Sequence, residues 1–468
     1  MLGRIARIVE QLKQNWGQEL EDEAIRRAME EAGHKWRKRE LDPVTTFRLF
    51  TLQILFGNVA CNFVPHLGKK NVTGSAYCAA RGRLPLPALQ SLLTRCTAKM
   101  AEHVRDTGRW LGHRLWLVDG SSFSMSDTDE LREHFGQSGA QATGCGFPTA
   151  HWMALVHFAT GLIQRALTSP LRSHDMSQVA GLHPELESGD VLAGDRAFCS
   201  YAHLGLLISR GIQGIFRAHQ KLIIDFTPGR AHREPGQKHK GAKKKAGKTR
   251  GEEKGRGPAI GIPHSRWIKK LGPLDQIVEW YRPSDAPSWM TADTFAALPE
   301  TLQVRELRYA IGRPGFRVKE VTLVTTLLDP ERYPAEELAR AYGLRWTIET
   351  CFAHIKTTMK MDVLRCQTVR GVLKELTMFL LVYNIVRMTM LEAARRQDVP
   401  VDRISFVDAL RWLATAQAGD ELPDLVINRL RPNRAEPRVR KRRPKQYPLM
   451  TISRGELRKA LLGLEVAA

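Results

Sequence analysis

Cysteine is scarce in this chain of 468 residues: seven are present, at 61, 78, 96, 145, 199, 351 and 366, and no two stand in a C-x2-C spacing. Neither a thiolate zinc site nor a disulfide framework is supported, and the cysteines are read as small buried residues. Long apolar runs are missing as well. The run Met378–Tyr383 is soon followed by Asn384 and Arg387, too short and too polar to span a bilayer. No signal peptide is read, so no membrane partner is expected and the chain is placed in a reducing cytoplasm. A nucleotide-binding loop is also lacking. Gly241–Thr249 imitates one, but five residues separate its glycines where four are required, and no hydrophobic strand precedes it. Nucleoside triphosphate hydrolysis is excluded on that ground.

Acids are in short supply: 49 Asp and Glu stand against 71 Lys and Arg, a net charge of +22. The surplus is clustered. Residues 221–256 hold twelve Lys/Arg against four acids, and residues 429–459 hold twelve against two, so two segments carry 18 of the 22 charges. Such clustering is the footprint of a polyanion binder, with a merely solvated tract as the alternative. The first tract has too few apolar residues to fold and is expected to be a mobile loop. In the second, Arg440, Lys441, Arg442 and Arg443 suit DNA phosphates.

The most informative stretch runs from Tyr342 through Arg345 and Glu349 to Lys356, at relative positions 0, 3, 7 and 14. On an α-helix those four side chains share one face. One carboxylate flanked by two cations and a phenol suits a metal ion beside a phosphodiester, although the same face also reads as a solvated Arg345–Glu349 ion pair. Upstream, Arg114–Ser122 reads as a buried strand ending in Asp119, and Asp190–Phe198 reads as strand, glycine and then Asp195-Arg196.

The pattern Y-x2-R-x3-E-x6-K, with the two upstream acids, resembles the signature of the insertion-sequence-four family of DDE transposases. The resemblance implies that Asp119, Asp195 and Glu349 are the catalytic metal ligands. It also implies that Tyr342, Arg345, Lys356 and Arg196 sit against DNA. Carboxylates about 4 Å apart repel by roughly 4 kcal/mol at an effective dielectric near 20, so such a trio wants divalent cations. Hard oxygen ligands point to Mg²⁺ or Mn²⁺, and the resemblance implies two ions. The implied partners are the element's terminal inverted repeats and target DNA, with a homodimer in the synaptic complex at the bacterial nucleoid. A nuclease of the same fold that cuts without joining, or a domesticated DNA-binding protein, remains open.

Element order gives the expected fold class: an α/β, RNase H-like mixed sheet with covering helices, interrupted by a β-rich insertion and preceded by a helical N-terminal domain. A hairpin is read over 151–167, a helix starting near Ser173, a helix over Tyr201–Arg210 and a strand over 214–217. Alternating strands over 276–281, 303–311 and 316–324 form the insertion, expected as a module of its own. Family members stack a flipped base on an aromatic there, but the strand before Thr325 has no Trp, and Trp280 and Trp289 read better as packing. The expected divisions are a helical DNA-binding or assembly region at 1–110, catalytic core at 111–219, basic loop and insertion at 220–320, second core part at 321–395, and a helical, basic C-terminal region at 396–468. Within the first, Val44–Asn58 reads as an amphipathic run, and Gly74–Pro85 resembles the family's N-terminal helices.

Overall fold

The computed structural model describes residues 15–37, 39–138, 142, 144–173, 175–233, 261–311, 320–416, 420–430 and 450–462. Nine strands build one mixed sheet: β1 (Leu115–Ser124), β2 (Thr149–His157), β3 (Ile163–Pro170), β4 (Val191–Gly194), β5 (Gln213–Arg217), β6 (Ser265–Gly272), β7 (Asp275–Tyr281), β8 (Thr301–Ala310) and β9 (Glu320–Thr325). Their order across the sheet is β3-β2-β1-β4-β5-β9-β8-β7-β6. β1 pairs antiparallel with β2 and parallel with β4, and β4 pairs parallel with β5. The strands of the expected insertion join this same sheet, because β9 pairs antiparallel with β5 and carries β8, β7 and β6 outward from it.

Side chains alternate across a strand, so the sheet divides the interior into two layers. Leu115 and Leu117 of β1, Val191 and Ala193 of β4 and Ile215 of β5 enter one apolar cluster. Their neighbours Trp116, Val118, Leu192 and Phe216 enter the other. These strands read as unbroken apolar runs because both faces are covered. The first cluster also takes in Phe47 and Phe50, Leu89 and Leu92, and most of the central helix Val369–Arg396, so the N-terminal helices share the core of the sheet. The helix Pro43–Leu55 is therefore buried on nearly every side, not amphipathic as expected.

The central helix is long and apolar enough to cross a bilayer on length and composition alone, yet 94% of its apolar window is buried inside the fold. The residues that break its apolar run have structural work. Asn384 accepts from the Ile163 amide at 3.0 Å and donates to the Ile163 carbonyl at 2.9 Å. Arg387 donates through Nε to the Thr160 carbonyl at 2.8 Å. Both clamp the β2–β3 turn, where Gly161 has φ +69° and a Cβ would stand 2.5 Å from the Arg387 guanidinium.

Further expectations change in detail. Cys96, Cys145, Cys199 and Cys351 are buried, but Cys61 and Cys366 are half-buried and Cys78 is exposed; all seven are free. The start of the first basic tract is held rather than mobile: Arg230 is buried and donates to the carbonyl and hydroxyl of Ser265 at 2.6 and 2.8 Å. The rest of that tract from residue 234 on, with the Gly241–Thr249 segment, and Arg440, Lys441, Arg442 and Arg443 lie outside the described residues. Trp280 is core, with its indole N–H donating to Glu306.

Burial holds His157, His203 and His354 down to about 4 and His183 to about 3. In each case the folded value lies below the ordinary one, so the unfolded chain binds more protons between roughly pH 6.5 and 4. Their contribution is complete above the ordinary histidine value and drains away as pH falls through that window. Urea unfolding followed from pH 8 to 4 is expected to show stability falling steeply, by about 3 kcal/mol for each histidine, at about 1.4 kcal/mol per unit of displacement. Stability independent of pH below 6.5 would contradict these burials.

Candidate active site

Strand register brings the first two acids together. In the β1–β4 pair Leu115 lies opposite Val191 and Val118 opposite Gly194. One step further along the same offset sets Asp119 beside Asp195 on strands about 4.8 Å apart. The β4–β5 pair runs Val191 opposite Gln213 to Gly194 opposite Phe216, so the next position adds Arg217 to the row. All three are odd-numbered, as are the side chains that β1, β4 and β5 send into the first cluster, so alternation aims them at the layer that holds Ile348 and Ile355. That is the layer of the Glu349 segment.

Asp119 was expected at a strand end, but β1 continues through it to Ser124. The acid therefore sits within the strand, where the buried run Leu115–Val118 gives way to partly open Asp119, Gly120 and Ser121. Asp195 does follow its strand and caps a short 3-10 turn, Arg196–Phe198, by accepting from the Ala197 amide at 2.7 Å. Gly194 immediately before it is forced: a Cβ there would meet Phe198 at 2.8 Å, Val118 at 3.0 Å and Phe216 at 3.2 Å.

The signature is one helical run but not one regular α-helix. Tyr342 ends the helix Ala335–Gly343, Arg345 lies in a 3-10 turn, Glu349 in the helix Thr347–Ala353 and Lys356 in a π turn, His354–Thr358. A π turn lengthens the local repeat, and such turns gather at functional positions. The shared face is also split in depth. Tyr342 and Arg345 are buried, whereas the Glu349 side chain is 50% exposed.

Arg345 is the hub. Its guanidinium is 3.1 Å from Asp119 and 4.0 Å from Glu349, so the pairing expected with Glu349 is secondary to one with Asp119. It lies 5.7 Å from the Tyr342 ring centre and 5.3 Å from that of Trp346, an exposed aromatic that the spacing pattern did not single out. Its Nε is buried with no hydrogen-bond partner among the described residues. Lys356 reaches across to β1, donating to Ser121 Oγ at 3.1 Å and the Ser122 carbonyl at 2.5 Å. Arg196 is exposed and donates to Gln220 at 3.1 Å.

Burial pushes the Asp119 carboxyl up to about 6, and the charges of Asp195 and Glu349 push the same way, against the Gly120 amide and Arg345. The three acids thus share one field with one guanidinium among them. Among the described residues no three His, Cys, Asp or Glu side chains gather closely enough to hold a metal in this arrangement. The donor chemistry nevertheless fits one: hard oxygens only, with one carboxyl already lifted toward protonation by burial and by the two neighbouring acids.

A family model described as Transposase DDE domain matches residues 110–385, more than half the chain and all three acids. The protein is a DDE transposase. Over 397 residues it is 24% identical to the transposase InsG for insertion sequence element IS4 of Escherichia coli strain K12, covering 81% of this chain and 78% of that protein. The resemblance to the insertion-sequence-four family read from the signature therefore holds. A piggyBac transposase in a synaptic complex with hairpin DNA matches with a TM-score of 0.44 and 9% identity, over 85% of this chain and 78% of that one. As a transposase of this family the protein cleaves and joins DNA, chemistry that uses divalent metal ions.

Because the folded value of Asp119 lies above its ordinary one, its ionised form is disfavoured by folding, and stability is lost as pH rises through about 6. Asp119→Asn is therefore expected to stabilise the metal-free transposase at pH 8 by roughly 1–3 kcal/mol, an advantage that disappears by about pH 4. Thermal unfolding of both proteins across that range decides it, and an Asn variant less stable at pH 8 would contradict the assignment.

Proposed function

We propose that this transposase cuts the ends of its element and joins the 3′-hydroxyls to target DNA at a site made by Asp119, Asp195 and Glu349. The carrying observation is the row of Asp119 and Asp195 on paired strands beneath the Glu349 segment, in one shared field. Asp119, Asp195 and Glu349 would hold Mg²⁺ or Mn²⁺, and two such ions would activate the attacking oxygen and stabilise the leaving one. The run β3-β2-β1-β4-β5, with three antiparallel strands followed by two parallel ones, supports reading the core as RNase H-like.

The chain's own groups do the positioning. Arg345 neutralises Asp119 while no cation is present and is free to turn its guanidinium to a DNA phosphate once one is. Lys356, held by Ser121 and Ser122, presents its ammonium at the same edge, with Tyr342 supporting Arg345 from below. Arg196 is placed for the backbone of the same DNA. The basic segment with Arg440, Lys441, Arg442 and Arg443 adds affinity without sequence preference. The partners are the terminal inverted repeats and target DNA, bound by a homodimer, in the cytoplasm at the nucleoid. Residues 1–110 bind or assemble the ends, 111–219 and 321–395 form the core, 220–320 the insertion and 396–468 the basic C-terminal region.

Alanine at Asp119, Asp195 or Glu349 is expected to abolish metal-dependent nicking and joining on end-bearing duplexes, while end binding persists. Near-normal cleavage by any one of the three removes it from the site. Replacing Arg440, Lys441, Arg442 and Arg443 together by Gln is expected to flatten the slope of log affinity against log salt by about 2–4, at roughly 0.9 per phosphate contact. The loss should be equal on element ends and random duplex; a loss confined to ends would make the segment a sequence reader.

A further inference from the structure

Behind the Asp195 turn, two buried histidines meet through their Nε2 atoms. His183 belongs to the 3-10 segment Ala180–Glu185, and His203 to the first turn of the helix Tyr201–Ser209. Their ring planes are within 10° of parallel and their centres 5.1 Å apart, with Nε2 to Nε2 at 3.1 Å. His203 Nδ1 is 2.7 Å from the Phe198 carbonyl, which can only accept, so Nδ1 carries a proton. With His203 neutral, its Nε2 is then an acceptor and His183 must donate to it. Both rings are held in single tautomers by one chain of hydrogen bonds.

The end of that chain is the site. Phe198 closes the turn that Asp195 opens: its amide donates to the Asp195 carbonyl at 3.2 Å, and the Asp195 carboxylate accepts from Ala197 between them. The Phe198 ring lies over Gly194, leaving no room for a side chain before the acid. Phe216, on β5, packs on His203 at 5.2 Å and fixes its plane. A backbone turn this short has few ways to aim its first side chain, and His203 fixes its last carbonyl.

We infer that His203, held in place by the donor from His183, is a positioning residue that aims the Asp195 carboxylate into the metal site. The inference rests on the reading of Asp195 as a metal ligand. Groups that orient a ligand without touching the metal commonly govern affinity by about 10- to 100-fold. His203→Phe keeps a ring against Phe216 and His183 but loses the donor to Phe198. His203→Asn puts an amide N–H near where Nδ1 stood.

The test is Mn²⁺ binding to the full chain, read by the paramagnetic resonance of free Mn²⁺, with near-ultraviolet circular dichroism checking the fold. His203→Phe is expected to weaken Mn²⁺ binding about 10-fold with end-DNA affinity unchanged, and His203→Asn to recover it to within about threefold of the parent. If His203→Phe does not fold, His183→Gln, which keeps a donor near Nε2, is compared with His183→Leu, and only the Leu variant should lose Mn²⁺. Wild-type Mn²⁺ binding by a folded His203→Phe, or by His183→Leu in the fallback comparison, would overturn the inference. Equal losses in the paired variants would mean that the histidines serve packing alone. Asp195→Ala separates the two levels: if it binds Mn²⁺ as tightly as the parent, the ligand reading fails and the positioning role fails with it.

Discussion

The parallel pairing of β1 with β4 is the constraint on which the rest of the site depends. Two acids separated by 76 positions stand side by side because Leu115 pairs with Val191 and the offset holds to Gly194. A slip of one residue would turn one acid to the opposite face of the sheet, since side-chain direction reverses at every step. What fixes the register is apolar burial on both faces: Leu115 and Leu117 with Val191 and Ala193 in one layer, Trp116 and Val118 with Leu192 in the other. The row of acids proposed to be catalytic is thus maintained by side chains of the apolar core.

Electrostatics then work against stability at the same place. Burial is what chiefly lifts the Asp119 carboxyl, and the charges of Asp195 and Glu349 add to it, against Arg345 and the Gly120 amide. Arg345 is buried within 3.1 Å of Asp119, which makes it the internal counter-ion of the metal-free protein. Such an arrangement is destabilised until a cation arrives, so binding free energy is directed to the acids. Lys356 is kept out of this pairing by Ser121 and Ser122, which leaves its charge available at the edge.

Much of this was legible in the sequence, for identifiable reasons. The apolar runs before Asp119 and Asp195 announce buried strands, and the helical spacing from Tyr342 to Lys356 announces one continuous segment. What the sequence hides is pairing. Nothing in residues 265–325 distinguishes a separate β module from an extension of the core sheet, because alternation reports burial and not which strand lies alongside. The 3-10 and π turns within the signature were equally invisible; in the π turn His354 stacks on the distant Phe406 at 4.2 Å, a contact no spacing pattern announces. The Pro43–Leu55 helix looked amphipathic for the same reason: its polar residues Thr46, Thr51 and Gln53 are buried, with Gln53 accepting from Tyr77 and Arg81.

The central claim is that Asp119, Asp195 and Glu349 hold metal together, and iron-directed cleavage tests it most directly. Fe²⁺ substituted for the native ion, with ascorbate and peroxide, breaks the backbone beside its own ligands. The account predicts three cuts, near residues 119, 195 and 349, all suppressed by excess Mg²⁺ and all lost together in Asp195→Ala. Cuts at only one of these positions, or cuts elsewhere that Mg²⁺ does not suppress, would show that the three acids do not form one site.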